Sequence, residues 1–206
     1  MNKAFPILLA LLLLSLSIVA AAFGMANIYQ KEAATLRVDW DDSEDVEGAP
    51  PWAWEQAQRY LWLASRLAPF DPQILGDQGR LYDSRASATQ ASDASTEYER
   101  ALGFYRQALA LRPAWPYAWV DIAGLKIAQQ RLDAEYLHAV QQALTLGPWQ
   151  TKVQASIAFG GLMVWDMLPA TLQTGVEKTI ARGLLNDSRL MMTVAKHYDL
   201  VPTDGS

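Results

Sequence analysis

The stretch "LRPAWPYAWVDIAGL", residues 111–125, decides how this chain folds, because two prolines interrupt it three residues apart and large apolar residues follow at once. A proline ring cannot continue a helix's hydrogen-bonded ladder, yet its fixed φ suits the first helical turn. Pro113 is therefore expected to close one helix and Pro116 to open the next. Trp119, Ile122 and Ala123 would then pack the new helix against its partner. The competing reading is an aromatic ligand pocket, in which Trp115 and Tyr117 meet a ligand.

The ending before Pro113 recurs, which favours the joint between helices. "AQRYLWLASRLAPF" (57–70), "ALGFYRQALALRPAW" (101–115) and "YLHAVQQALTLGPW" (136–149) align on Pro69, Pro113 and Pro148. Five residues before each proline stands an alanine (Ala64, Ala108, Ala143), and eight before stand Leu61, Tyr105 and Val140. Nine before stand Tyr60, Phe104 and Ala139; twelve before stand Ala57, Ala101 and Tyr136. Residues at these offsets share one helical face, small where a neighbouring helix comes close and bulky where space must be filled. No segment after Pro51 alternates as a strand would. The pattern resembles the tetratricopeptide repeat, a helix-turn-helix of about 34 residues that closes on proline. Pro113 and Pro148 stand 35 positions apart, but Pro69 and Pro113 stand 44 apart. The polar "SRASATQASD" (84–93) is the natural insert, placed between two helices, with Thr96 and Glu99 as a capping box for the helix that follows.

The repeat is degenerate. Lys126 stands where an aromatic is usual, Glu135 or Tyr136 replaces a small residue, and Gly160–Gly161 and Pro169 interrupt the third copy. The expectation is two full repeats flanked by half-repeats over about 52–165, two capping helices over 168–200, and a disordered tail at 201–206. The fold class is thus all-α, a tetratricopeptide-like helix-turn-helix solenoid.

A membrane segment precedes it. Residues 4–30, "AFPILLALLLLSLSIVAAAFGMANIYQ", carry no charged side chain, and Phe5 to Ala26 as a helix would extend roughly 33 Å, enough to cross a bilayer. Lys3 and the terminal amine favour an N-terminus held in the cytoplasm. A cleaved signal peptide is the alternative, since residues 20–22 ("AAA") offer small residues at a cleavage site, although the apolar run exceeds the usual length. Either way the remainder is exported. Residues 1–26 are expected to be the anchor, with a short helix and then a linker over 27–51. "DDSEDVEGAPP" (41–51) holds Asp41, Asp42, Glu44, Asp45 and Glu47, but lacks the glycine spacing and final glutamate of a calcium loop.

Composition narrows the chemistry. The 206 residues are 51% hydrophobic with a net charge of −5, and no basic cluster exists, so nucleic acid is not an expected partner. There is no cysteine, which excludes disulfides and thiol catalysis. His138 and His197 have no metal-spaced partner, and no phosphate loop, nucleophile elbow or dinucleotide fingerprint occurs. The expectation is a protein that is not an enzyme and takes no cofactor or metal. Arrays of this kind bind partners along a groove lined by the first helix of each pair. That phase gives Gln73, Arg80 and Asp83, then Tyr117 and Val120, then Lys152 and Phe159, with Trp115 added at the joint.

The layout of one membrane segment followed by "LAPFDPQILGDQGRLYD" (67–83), "LRPAWPYAWVDIAGLK" (111–126) and "LGPWQ" (146–150) resembles the VpsP family of polysaccharide-biosynthesis proteins. The resemblance implies an accessory role in bacterial exopolysaccharide assembly and names no active residue. The expected function is a scaffold or adaptor in the bacterial inner membrane, single-pass with a periplasmic C-terminal domain. It would bind a protein partner, a polysaccharide polymerase or export component. Two alternatives stay open: a glycan-binding or glycan-processing domain whose aromatics stack on sugar, and an adaptor for secretion or division machinery.

Overall fold

The computed structural model describes residues 4–41, 51–88 and 91–197. The acidic stretch from Asp42 to Pro50, the tail and the side chain of His197 lie outside the described residues. Everything regular in the described residues is helical, with no strand, and the fold is all-α. In chain order the helices are α1 (Ala4–Asp41), α2 (Pro51–Leu67), α3 (Pro72–Ala88), α4 (Ala91–Leu111), α5 (Pro116–Ala128), α6 (Ala134–Leu146), α7 (Thr151–Met163), α8 (Ala170–Asn186) and α9 (Ser188–His197). A short 3-10 turn, Trp165–Met167, joins α7 to α8. The chain divides into two compact units, Met1–Leu111 and Arg112–Ser206.

The proline rule holds at every aligned ending. α2, α4 and α6 stop at Leu67, Leu111 and Leu146, two residues before Pro69, Pro113 and Pro148. The residue before a proline is pushed out of helical geometry, so the last helical position falls one residue earlier still. Pro72 and Pro116 then open α3 and α5. The aligned face is the buried face: Ala57, Ala64, Ala101, Ala108, Ala139 and Ala143 are wholly enclosed, as are Leu61, Tyr105, Tyr136 and Val140 to within a few percent.

Three expectations need correction. The helix over 27–40 is not a separate element but the continuation of the apolar segment in one 38-residue helix. Its second half belongs to the first unit: Ala26 packs with Ala64, Ala68 and Ile74, and Ala33 with Trp54, Ala57, Leu61 and Leu81. α1 therefore completes the first half-repeat, pairing with α2 as α3 pairs with α4. In the second unit α8 completes the last one, pairing with α7. Second, the polar stretch 84–93 is not a helix-poor insert, because α3 runs to Ala88 and α4 begins at Ala91. Ala86 and Ala94 in these extended ends are buried, so tertiary packing overrides weak local propensity. Third, Thr96 lies inside α4, five residues past its start, and caps nothing.

Glycines mark the closest helix approaches. A Cβ on Gly79 would stand 2.7 Å from the ring of Tyr105, which fixes how tightly α3 meets α4. A Cβ on Gly161 would stand 2.6 Å from Val176, which does the same for α7 and α8. Gly161 thus serves a close helix contact between α7 and α8.

α1 is also the one helix among the described residues long and apolar enough to cross a membrane, over Phe5–Arg37, and none of its most apolar window is buried in protein. Its polar groups are satisfied internally, as lipid requires. Ser15 Oγ donates to the Leu12 carbonyl at 2.8 Å and Ser17 Oγ to the Leu13 carbonyl at 2.9 Å.

Candidate functional site: an aromatic cleft in the first unit

In the first unit, α2, α3 and α4 enclose a cleft of about 340 Å³. α2 contributes Glu55, Gln58, Arg59 and Trp62, α3 contributes Gln78 and Tyr82, and α4 contributes Phe104. Leu61 and Leu81, both buried, form its floor. The helical period explains this set: Ala57, Leu61, Ala64 and Ala68 take the buried stripe of α2, which leaves Gln58, Arg59 and Trp62 on the adjoining flank.

The aromatic wall is held rigidly. Tyr82 stacks on Phe104 with ring centroids 5.4 Å apart and planes 18° from parallel, and Trp54 meets Tyr82 edge-on at 5.7 Å. Gln58 Nε2 donates to the Tyr82 hydroxyl at 2.8 Å, so the phenol is oriented as an acceptor from α2. Arg85 covers the outer face of Trp54 at 4.1 Å. Trp62, by contrast, is 56% exposed, with the Arg66 guanidinium 5.9 Å from its ring. Gln78 Oε1 is enclosed and accepts no hydrogen bond from the protein, which leaves an acceptor unfilled in the cleft wall. The cleft combines flat apolar faces with amides and one charge of each sign. Such a lining suits stacking and hydrogen bonding.

The sequence-derived groove residues fall elsewhere. Gln73, Arg80 and Asp83 on α3 are half-buried and belong to the first unit. Arg80 is paired to Asp77 at 2.6 Å, and Asp77 also accepts from Gln30 of α1. That flank of α3 is therefore the one α1 meets, and the cleft opens on the other flank, through Gln78 and Tyr82. The remaining five belong to the second unit. Lys152 and Phe159 are exposed on α7, and Tyr117 and Val120 are half-buried on α5.

Trp115 is a correction: only 4% of it is exposed, so it is a core residue and not a groove residue. Its position before Pro116 forces an extended backbone (φ −100°, ψ 96°), which turns the indole inward. Trp119, expected in the core, is instead partly exposed. Its Nε1 donates to the Pro113 carbonyl at 2.9 Å, and its ring meets His138 edge-on at 5.1 Å. His138 is thus an aromatic packing partner.

Lys126, the oddity of the repeat, has a structural reason. It is buried, and its Nζ lies 2.7 Å from Asp133 Oδ2 and 2.6 Å from Glu135 Oε2. Asp133 also caps α6, accepting from the Tyr136 amide at 3.1 Å. The departures at Lys126 and Glu135 are therefore two halves of one clasp across the α5–α6 turn. Lys126's hydrogen bond holds the Asp133 carboxyl below the usual carboxylate range, and burial pushes the Tyr136 phenol up to about 12. Inside that turn Gln130 has φ 55°, the left-handed position that closes α5 with bonds from Arg131 N to Lys126 O and from Gln130 N to Ile127 O, both 2.8 Å.

In the second unit, α8 grips the α6–α7 turn. Asn186 Nδ2 donates to Thr151 Oγ1 at 3.0 Å and Gln154 Oε1 at 3.2 Å, while buried Gln154 donates to the Pro148 carbonyl at 2.8 Å. These groups satisfy one another and leave no reactive side chain. Among the described residues no three His, Asp or Glu side chains converge as a metal site requires. Compared with known proteins, the chain matches no family model and none of the curated proteins.

Proposed function

We propose that this protein is a non-catalytic, membrane-anchored helical-repeat adaptor, and that the cleft between α2, α3 and α4 receives its partner. The observation that carries the reading is that exposed Trp62 lines the same cleft as the stacked Tyr82–Phe104 wall, in a unit whose core includes the anchor helix itself. A large aromatic beside a pre-organised pocket is the usual centre of a protein interface. The resemblance to the VpsP family points to a protein partner in envelope exopolysaccharide polymerisation or export. In that reading α1 crosses the bacterial inner membrane once and both units face the periplasm. Tyr117, Val120, Lys152 and Phe159 are the second unit's contribution to the partner surface.

Co-purification of the full chain from native membranes tests this. The expected result is recovery of a polysaccharide polymerase or export component with the parent chain and its loss with Trp62→Ala. Recovery of the chain alone, or of the same partner with Trp62→Ala, contradicts the proposal.

One observation favours a second reading, glycan binding in the same cleft: flat aromatic faces stand beside the Gln58 and Gln78 amides in its lining. Sugar hydroxyls donate hydrogen bonds and sugar rings stack on such faces. Titration with the polysaccharide's own oligosaccharide, read by tryptophan fluorescence, separates the two. Saturable quenching that Trp62→Phe diminishes supports the glycan, and a flat titration removes it.

A further inference from the structure

We infer that the α2–α3 turn is a second membrane contact, with Phe70 entering the headgroup–acyl boundary of the bilayer that α1 crosses. The inference rests on reading α1 as the anchor.

Three observations lead there. First, the position of the turn along α1 is fixed by packing. Roughly 20 helical residues cross a hydrocarbon core of about 30 Å, so a span that begins at Phe5 ends near Gly24 and Met25. Ala26, the next residue, is buried against Ala64, Ala68 and Ile74. The end of α2 and the start of α3 are therefore level with the exit of α1 from the bilayer. Ala33, about two turns farther out, meets Trp54, Ala57, Leu61 and Leu81, so α2 runs back toward the membrane as it approaches Leu67.

Second, the residues that this geometry brings down are apolar where a water-facing turn is polar. Phe70 is 81% exposed, directly after Pro69. Leu111 is 44% exposed at the end of α4, and α4 returns antiparallel to α3, so it ends on the same side as Pro72. Third, Arg66 lies exposed in the last turn of α2, one turn above Phe70. A guanidinium at that height meets lipid phosphates, and an aromatic below it meets the interface that such rings favour. The turn itself is rigid: Asp71 Oδ1 accepts from the Gln73 amide at 2.8 Å, and the Asp71 amide donates to the Ala68 carbonyl at 3.2 Å. Phe70 is thus presented on a fixed support. The consequence is orientation, since a span plus a second contact holds the first unit at one angle to the membrane.

The test exploits the absence of cysteine, which makes any introduced thiol a unique labelling site. Full-length chains carrying Phe70→Cys, Ile18→Cys or Trp52→Cys are labelled with an environment-sensitive fluorophore. Each is reconstituted in phospholipid vesicles containing lipids brominated high or deep on the acyl chain. The Phe70→Cys probe is expected to lose emission roughly two-fold with the shallow bromines. The Trp52→Cys probe, 66% exposed at the far end of α2, is expected to lose none, and the Ile18→Cys probe responds to the deep bromines. If the Phe70→Cys probe behaves like Trp52→Cys while Ile18→Cys is quenched, the second contact is wrong and the anchor stands. If Ile18→Cys also escapes quenching, the anchor reading falls and the second contact with it.

Discussion

Replacing Gly79 by alanine tests the pairing of α3 with α4, because two opposed effects of the change can be weighed from the structure. In the middle of a helix, glycine to alanine stabilises by about 1 kcal/mol through backbone entropy. At Gly79 the new methyl meets three ring atoms of Tyr105 at 2.7, 2.8 and 2.9 Å, distances that real Cβ atoms do not tolerate. The Tyr105 ring is fully buried, so it cannot swing into solvent. Overpacking a close-packed core costs about 1–3 kcal/mol, and a clash with a whole ring edge belongs at the upper end. The net expectation is a loss of about 1–2 kcal/mol, or a fall of roughly 3–6 °C in the thermal midpoint of a chain this size. Gly103→Ala is the internal control: it lies in α4 with nothing within 4 Å of a Cβ, so only the entropy gain operates. Its midpoint should rise by roughly 2–4 °C. Helical circular dichroism of the detergent-solubilised proteins reads both. If Gly79→Ala raises the midpoint as Gly103→Ala does, α3 and α4 do not approach as described.

Four further outcomes follow from the second unit. Trp115→Ala should cost about 3–5 kcal/mol and Trp119→Ala only about 1–2, since the first indole is buried and the second is partly exposed with one hydrogen bond; denaturant midpoints compare them, and equal costs would contradict the exchange of roles. Gln130→Gly should stabilise by about 1 kcal/mol, because only glycine takes a left-handed φ without strain, and an unchanged or lower midpoint would contradict that backbone. Tyr136 keeps its proton in the fold up to about 12, against 10.0 when unfolded, so its contribution is complete below pH 10 and is lost as pH rises toward 12. Up to roughly 2–3 kcal/mol is at stake, and Tyr136→Phe should lack this alkaline loss. Asp133 titrates the other way: its lowered pKa adds stability above the unfolded carboxylate value, lost as pH falls below about 4, and Asp133→Asn should flatten that acid limb.

The proline-terminated endings and the alanines five positions before them were readable in the sequence, because a proline and an enclosed alanine each have one dominant physical meaning. The role of α1's second half was not. Its buried stripe, Ala26 and Ala33, lies at the edge of a run that is apolar on every face, so no amphipathic contrast marks it. That helix also occupies one flank of α3, the flank of Arg80, and leaves the flank of Tyr82 open. The exchange between Trp115 and Trp119 followed from weighing residue size without the pre-proline geometry that turns Trp115 inward. Phe104 stands in the aligned repeat endings, but its sharing one cleft with Tyr82 and Trp62 depends on how α2 and α4 flank α3, which periodicity along one helix does not encode. Trp62 did carry a signal: a tryptophan one position past the buried stripe at Leu61 has no packing role on its own helix.

Position-specific photo-crosslinking tests the central claim most directly. A photoreactive residue replaces Trp62 in the full-length chain in living cells, with the same group at exposed Leu185 on α8 of the second unit as the comparison. The adaptor reading predicts an adduct from position 62 with a component of the polysaccharide polymerisation or export apparatus, stronger than any from position 185. The absence of an adduct at position 62, in cells that still make the polymer, would contradict it.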